Sequence, residues 1–379
     1  MKILIIAEGF FPGEKYGGPP VSVDNFCTLM TQTGNSDEYK CYIITRNHDL
    51  GDSRKYEFIS EGWNNRGNCK VLYLSDKEFC YRRFMQVAEE IDPDILYLQS
   101  LFSKSTLPAL FLAKKINIKT LLAPRGELCS GAFKKKYKKI PYIIAIRFLG
   151  LIKKVMCQST SKEESIMIHK LLGISKERIV EINNIPSIPK YFSVAPTKEE
   201  GSLNLIFVSR IVEKKNLRYA IELLKHVKGN VCYDIYGPIE DKKYWEDCKR
   251  MISELPSNVK VRYRGLISHD DIHKIFSMYH GFLFPTFSEN YGQVIAESLF
   301  AGCPVIISDQ TPWYDVTDDN AGWAIALNNR EYYVKALQEL VEMNQESFNI
   351  MHENAKQYVS KKNNFDKIRQ KYIQCFKNE

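Results

Sequence analysis

The sequence predicts an α/β protein of two Rossmann-like domains, on three observations. At 379 residues the chain is long for one domain and comfortable for two that each bury a core. Short apolar segments alternate with longer stretches of helical pattern, the rhythm of a parallel sheet covered by helices on both faces. A break near the middle, with Pro186, Pro189, Pro196 and the polar run from Thr197 to Ser202, interrupts that rhythm once.

In the first half Lys2 to Ala7, Cys41 to Thr45, Ile95 to Leu98 and Lys119 to Ala123 read as strands. After the break Leu203 to Val208 opens a second set, continued by Val231 to Tyr236, Val259 to Tyr263, Gly281 to Phe284 and Pro304 to Ser308. The expected domains are therefore 1–190 and 200–355, with 356–379 a C-terminal helix that packs back on the N-terminal domain. Hydrophobic residues at 44% and charged residues at 26% exclude the disordered, fibrous and disulfide-scaffold classes.

The opening MKILIIAEGFFPG is interrupted by Glu8 and lacks a small-residue cleavage site, so it reads as a first strand rather than a signal peptide. The longest apolar run, Ile140 to Ile152, is broken by Arg147 and is too short to span a bilayer. Ten cysteines without a CxxC pair or zinc-like spacing are expected to be reduced thiols in a cytoplasmic protein. The net charge of +8 is moderate, but Lys134, Lys135, Lys136, Lys138, Lys139, Arg147, Lys153 and Lys154 follow one another with no acidic residue between them. Such a run is either a solvated helix face or a surface for an anionic partner.

Loops after strands deserve the closest reading, because open α/β sheets bind ligands beyond the carboxyl ends of their strands. In FPTFSENYGQVIAESLFAGCPV a strand ends near Phe284, a loop follows, and Gln293 to Phe300 has helical character. Backbone amides at such a helix N-terminus favour an anion such as a diphosphate. Glu289 before the helix and Glu297 two turns in are placed for a sugar hydroxyl and a ribose diol, ionised carboxylates being acceptors for such donors. In LIFVSRIVEKKN, Arg210 and Lys215 follow a strand closely enough to face a diphosphate and neutralise it. A pair of acids or a basic loop alone is as readily an ordinary helix start.

Together with the glycine-rich EKYGGPPVSV, APRGEL and TPWYDVTDDNAGWAI, these segments resemble the retaining family-4 type glycosyltransferases, also called glycosyl transferases group 1. The resemblance covers nearly the whole chain and is nearest to the branch of bacterial capsule, O-antigen and exopolysaccharide synthesis. It implies the GT-B fold, two Rossmann-like domains facing each other across a cleft, and transfer of a sugar from a nucleotide diphosphate with retention of configuration. Carried over residue by residue, it puts Arg210 and Lys215 on the diphosphate, Glu297 on the ribose and Glu289 on the donor sugar. The amides of Asn290, Tyr291, Gly292, Gln293 and Val294 complete the cradle, with Gly17 and Gly18 approaching the phosphates from the N-terminal domain. Arg125 stands where many relatives have a catalytic histidine, and Gln99 where some have a second.

The resemblance further implies no metal and no cofactor beyond the sugar donor. Its acceptor is a saccharide on a polyprenyl diphosphate, met at the cytoplasmic face of an anionic membrane. Lys134, Lys135, Lys136, Lys138 and Lys139 are the expected membrane or acceptor contacts. A hydrolysing nucleotide-sugar epimerase on the same fold is the alternative enzyme. A nucleic-acid-binding protein, suggested by the basic balance alone, leaves the donor motifs unexplained.

Overall fold

A computed structural model of the chain describes all residues except 14, 33–37, 130–135, 188–192, 269–270 and 378–379. Pro189 and the residues beside it thus lie outside the described residues. The chain divides into two compact units, Met1–Ile185 with Phe365–Glu379, and Pro186–Asn364.

The first unit is built on an eight-stranded sheet of β1 (Lys2–Ile6), β2 (Lys40–Arg46), β3 (Trp63–Arg66), β4 (Cys69–Leu74), β5 (Ile95–Gln99), β6 (Lys119–Ala123), β7 (Val155–Ser159) and β8 (Ile179–Glu181). Their spatial order is β3-β4-β2-β1-β5-β6-β7-β8. Antiparallel β3 covers one edge, and the other pairings are parallel. Strands such as KILII are apolar on both faces because both are covered. Successive side chains point to opposite faces, so Ile3 and Ile5 join one core while Leu4 and Ile6 join the other. The first helix, α1 (Gly18–Gln32), lies on the former core. The latter is closed by α2 (Tyr81–Ile91), α3 (Thr106–Ile116), α4 (Lys136–Phe148) and α5 (Lys162–Leu172).

The second unit holds β9 (Ser202–Val208), β10 (Asn230–Tyr236), β11 (Val259–Gly265), β12 (Gly281–Phe284), β13 (Val305–Ser308) and β14 (Gly322–Ile325) in the order β11-β10-β9-β12-β13-β14, all parallel. Its helices include α6 (Leu217–Leu224), α7 (Lys242–Ser253), α8 (Ile272–Phe276), α9 (Gln293–Phe300), α10 (Arg330–Glu342) and α11 (Gln345–Lys362). The segment 356–379, expected as one C-terminal helix, instead holds the end of α11 and a separate helix after it. Asn363, buried, ends α11 by donating back to Val359 O at 2.9 Å and accepting from Tyr291 Oη at 2.8 Å. The chain then re-enters the first unit, where α12 (Phe365–Lys377) packs beside α1 through Phe26, Tyr372 and Phe376.

Each sheet has one point where the strand order reverses, and there the loops diverge to leave a crevice. In the first unit it lies between β1 and β5, in the second between β9 and β12.

Candidate functional site

The crevice of the second unit is lined by the two loops that the sequence singles out. One leaves β9 and carries Arg210 and Lys215; the other leaves β12 and carries Ser288 to Gly292. They are stitched together by Phe287 N donating to Lys214 O at 3.0 Å and Asn216 Nδ2 donating to Pro285 O at 2.9 Å. Asn216 itself sits in the left-handed region, φ 57°, where asparagine is among the tolerated residues, and turns the chain into α6.

That stitching brings Lys215 Nζ to 2.5 Å from Glu289 Oε1, with both side chains little more than a tenth exposed. Thr286 Oγ1 donates to the same oxygen at 3.2 Å, leaving Glu289 Oε2 without a partner among the described residues. Burial lowers the Lys215 pKa, the Glu289 charge opposes that fall, and Lys214 and Arg210 add to it by like-charge repulsion. Arg210 stands further out, half exposed, with Nη1 2.7 Å from Glu240 Oε2. The arrangement sets two cations, each paired with a carboxylate, beside the carboxyl ends of β9 and β12.

Helix α9 begins at the edge of this crevice. Gly292 caps it with φ 78°, an angle that favours glycine, and a β-carbon there would push on Ile295 Cδ1 at 2.8 Å. The first-turn amides of a helix have no carbonyl of their own helix to bond, which is what makes them anion ligands. Tyr291 is a wall rather than a ligand by its side chain: its ring meets Trp313 edge to face at 5.4 Å and its carbonyl accepts from Trp313 Nε1 at 2.5 Å.

Glu297 is buried in α9, within 3.3 Å of Ser187 Oγ, and burial pushes its pKa up to about 8 against the pull of Ser187 and Gln293. Burial thus favours the protonated carboxyl, which offers a hydroxyl such as those of a ribose diol both a carbonyl acceptor and an O–H donor, and hydroxyl donors to it would favour the ionised form. Thr286, Asn216, Ser187 and Trp313 have no part in the sequence reading of the site. Single serines, threonines and asparagines in loops carry no pattern, and TPWYDV was legible as a segment without a role for Trp313.

In the first unit Gly17, φ 71°, ends the loop and Gly18 opens α1, both with open space where a β-carbon would stand. Glu8 closes the crevice here: its carboxylate accepts from Ser103 Oγ at 2.8 Å and Ser105 N at 3.0 Å, and pairs with Arg46 Nε at 2.8 Å. Arg125 follows β6 with φ 56° and donates to Gln99 Oε1 at 2.9 Å, Asn184 Oδ1 at 2.7 Å and Tyr97 Oη at 3.0 Å.

The basic run divides. Lys134 and Lys135 lie outside the described residues, and Lys136 opens α4. Lys138 is exposed, but Lys139 turns inward, donating to Glu127 O at 3.3 Å with its ammonium 4.4 Å from the Phe102 ring centre. The long side chain of Lys139 thus finds a ring and a carbonyl within its own unit. Along α4, Tyr137, Ile140, Ile144 and Phe148 are exposed, Phe148 to 90%, while Ile143 and Ile146 are buried. Among the described residues no group of three His, Cys, Asp or Glu side chains is placed to hold a metal, and no helix is long and apolar enough to cross a membrane.

Comparison with known proteins adds three findings. Residues 192–358 match the family described as glycosyl transferases group 1. One subunit of human phosphatidylinositol N-acetylglucosaminyltransferase is 22% identical over 327 residues, 80% of this chain but 61% of that relative's length. Among solved structures, HepE of Anabaena, in complex with UDP and glucose, aligns over 99% of this chain and 98% of its own, with a TM-score of 0.72 and 13% identity. WaaG, a glycosyltransferase of lipopolysaccharide biosynthesis, aligns over the whole of both chains with a TM-score of 0.65 and 14% identity. These likenesses show the fold, which is GT-B.

Proposed function

We propose that this chain, a glycosyltransferase whose residues 192–358 belong to the glycosyl transferases group 1, moves a sugar from a nucleotide diphosphate to a lipid-linked or growing saccharide with retention of configuration. The observation that carries the reading is the Lys215–Glu289 pair in the crevice between β9 and β12, beside the N-terminus of α9. Lys215, Arg210 and the amides from Asn290 to Val294 would hold the diphosphate and stabilise the charge that develops on it as it leaves, the main catalytic contribution. Glu289 Oε2 would accept from a hydroxyl of the donor sugar, and Glu297 from the ribose. Gly17 and Gly18 would approach the phosphates from the acceptor unit. The cationic groups suffice for this stabilisation without a metal.

The acceptor reading is a polyprenyl-diphosphate-linked saccharide in surface polysaccharide synthesis, such as O-antigen, capsule or exopolysaccharide. Its support is the exposed stripe of α4, apolar and flanked by Lys138, Arg147, Lys153 and Lys154, which suits a peripheral protein at the inner face of an anionic membrane. The testing experiment is a thermal-shift screen of UDP-, GDP- and ADP-sugars, since a ligand that binds the folded state raises Tm. One nucleotide series is expected to stabilise wild type and not Lys215→Ala; no shift with any of them would overturn the donor reading.

A further inference from the structure

We propose that Arg125 and Gln99 form an anion-recognising site for the acceptor, so that this chain selects a saccharide bearing a carboxylate or phosphate group. This rests on the reading of the first unit as the acceptor-binding one.

A guanidinium has five N–H donors and no acceptor. Arg125 uses three of them within its unit: Nε on Gln99 Oε1, Nη1 on Asn184 Oδ1 and Nη2 on Tyr97 Oη. Each terminal nitrogen therefore keeps one N–H. All three partners are neutral oxygens, so nothing in this set neutralises the charge. Glu164, whose carboxylate reaches the next residue along, is committed to other donors: Gly126 N at 2.5 Å, Thr160 N at 2.8 Å and Thr160 Oγ1 at 2.7 Å. What remains is a cationic fork, already fixed by its tethers, of the kind that takes a two-oxygen anion.

Gln99 supplies a separate observation. Its side chain is buried, its Oε1 is taken by Arg125, and its Nε2 has no partner among the described residues. A buried donor left unmet is costly to the fold, and an oxygen of a group seated on Arg125 would satisfy it from the same amide. Gln99 ends β5 and Arg125 follows β6, so both lie at the carboxyl edge of neighbouring strands, where such sheets bind ligands. The left-handed backbone of Arg125 is strained for a residue with a β-carbon, and strain of that kind is retained at working sites.

The test uses glucuronate, glucose 6-phosphate and glucose as probes, observed by saturation-transfer NMR with the whole chain held saturated in the nucleoside diphosphate chosen by the thermal-shift screen. At least one anionic sugar is expected to bind about tenfold or more tighter than glucose, the factor that about 1.4 kcal/mol provides, and the two anions separate a carboxylate site from a phosphate site. Arg125→Gln should bring the anion down to the level of glucose. Arg125→Lys, which keeps the charge and loses the fork, should lose most of the preference, and it carries the comparison if the Gln variant does not fold. A merely structural tether would leave the ratio of anion to glucose unchanged in a folded variant. Equal binding of all three sugars by wild type, or an anion preference that survives both substitutions, would overturn the proposal; failure of every nucleotide to bind wild type would instead overturn the donor reading.

Discussion

Lys215 and Glu289 hold each other across the crevice between β9 and β12, and under the proposed function each is both a donor contact and the support of the other. Replacing either by Ala is expected to lower transfer about 10²- to 10³-fold, the range for losing one preorganised donor to a developing charge, and their effects should not multiply, because each variant strands its partner. Arg210→Ala, at a half-exposed pair, should lower transfer while leaving Tm unchanged. Steady-state assays with a melting curve for each variant check both statements, and near-normal turnover in all three would show the site to be misplaced. Glu297 gives a prediction in pH. Its carboxyl is raised from 4.5 to about 8 by burial, so its contribution to stability is complete below about 4.5 and is lost as pH rises through 8. Glu297→Gln should therefore gain Tm over wild type as pH climbs from 5 to 9, and a gain that shrinks over that range would contradict the assignment. The spacing from Glu289 to Glu297 was legible in the sequence. The protonation of Glu297 was not, since it depends on Ser187 and on the burial of α9, which no local pattern records.

Elements were legible where their pattern is regular and hidden where their burial is set from elsewhere. β6, β12 and α9 lie where the sequence places them, being apolar runs stopped by charged, proline or glycine residues. β3, β4, β7, β8 and β14 were not foreseen. VMCQS follows two lysines and carries a glutamine, which is accommodated because Gln158 accepts from Tyr97 Oη at 2.5 Å and donates to Ile182 O at 3.0 Å. Helix α4 shows what an apolar run conceals. Ile140 to Ile152 reads as a single hydrophobic stretch, yet Ile143 and Ile146 face the core while Ile144 and Phe148 face outward. Ile146→Ala is accordingly expected to cost about 2–5 kcal/mol, and Phe148→Ser within about 0.5 kcal/mol of nothing. Urea melts of the two variants decide it, and a large loss at Phe148 would mean that its face is covered.

At the scale of the molecule, the alternating strand and helix rhythm and the central break made two parallel sheets legible, because those features follow from period and length alone. The sequence reading sends the C-terminal segment back to the N-terminal domain, and α12 does lie in the first unit; the particular contacts by which it packs, such as Phe26 with Tyr372, join residues hundreds of positions apart, and no local pattern shows them. Two predictions belong to the whole protein. Transfer should survive EDTA under the proposal that Lys215, Arg210 and the α9 amides hold the diphosphate without a divalent ion; loss of activity restored by Mg²⁺ or Mn²⁺ would refute that. The other concerns the membrane. A saccharide on a polyprenyl diphosphate keeps its tail in the bilayer, so an enzyme that takes it gains from resting on that surface. Each Lys or Arg near an anionic bilayer contributes about 1 kcal/mol; α4 carries exposed Lys138 and Arg147 with exposed Ile144 and Phe148, and the turn after it carries exposed Lys153 and Lys154, Arg147 and Lys154 each giving one donor to Leu171 O and Asn117 Oδ1. Lys139 is a poor member of the set, being spent on Phe102 and Glu127. Wild type is therefore expected to sediment with vesicles containing phosphatidylglycerol, less as salt rises, because exposed charges are screened over about 10 Å at 0.1 M. Lys138→Glu with Lys153→Glu and Lys154→Glu should abolish the salt-sensitive part, and Ile144→Ser with Phe148→Ser the part that persists at high salt. Equal sedimentation of wild type and both variants at low salt would remove α4 from the membrane and leave its apolar stripe without that explanation.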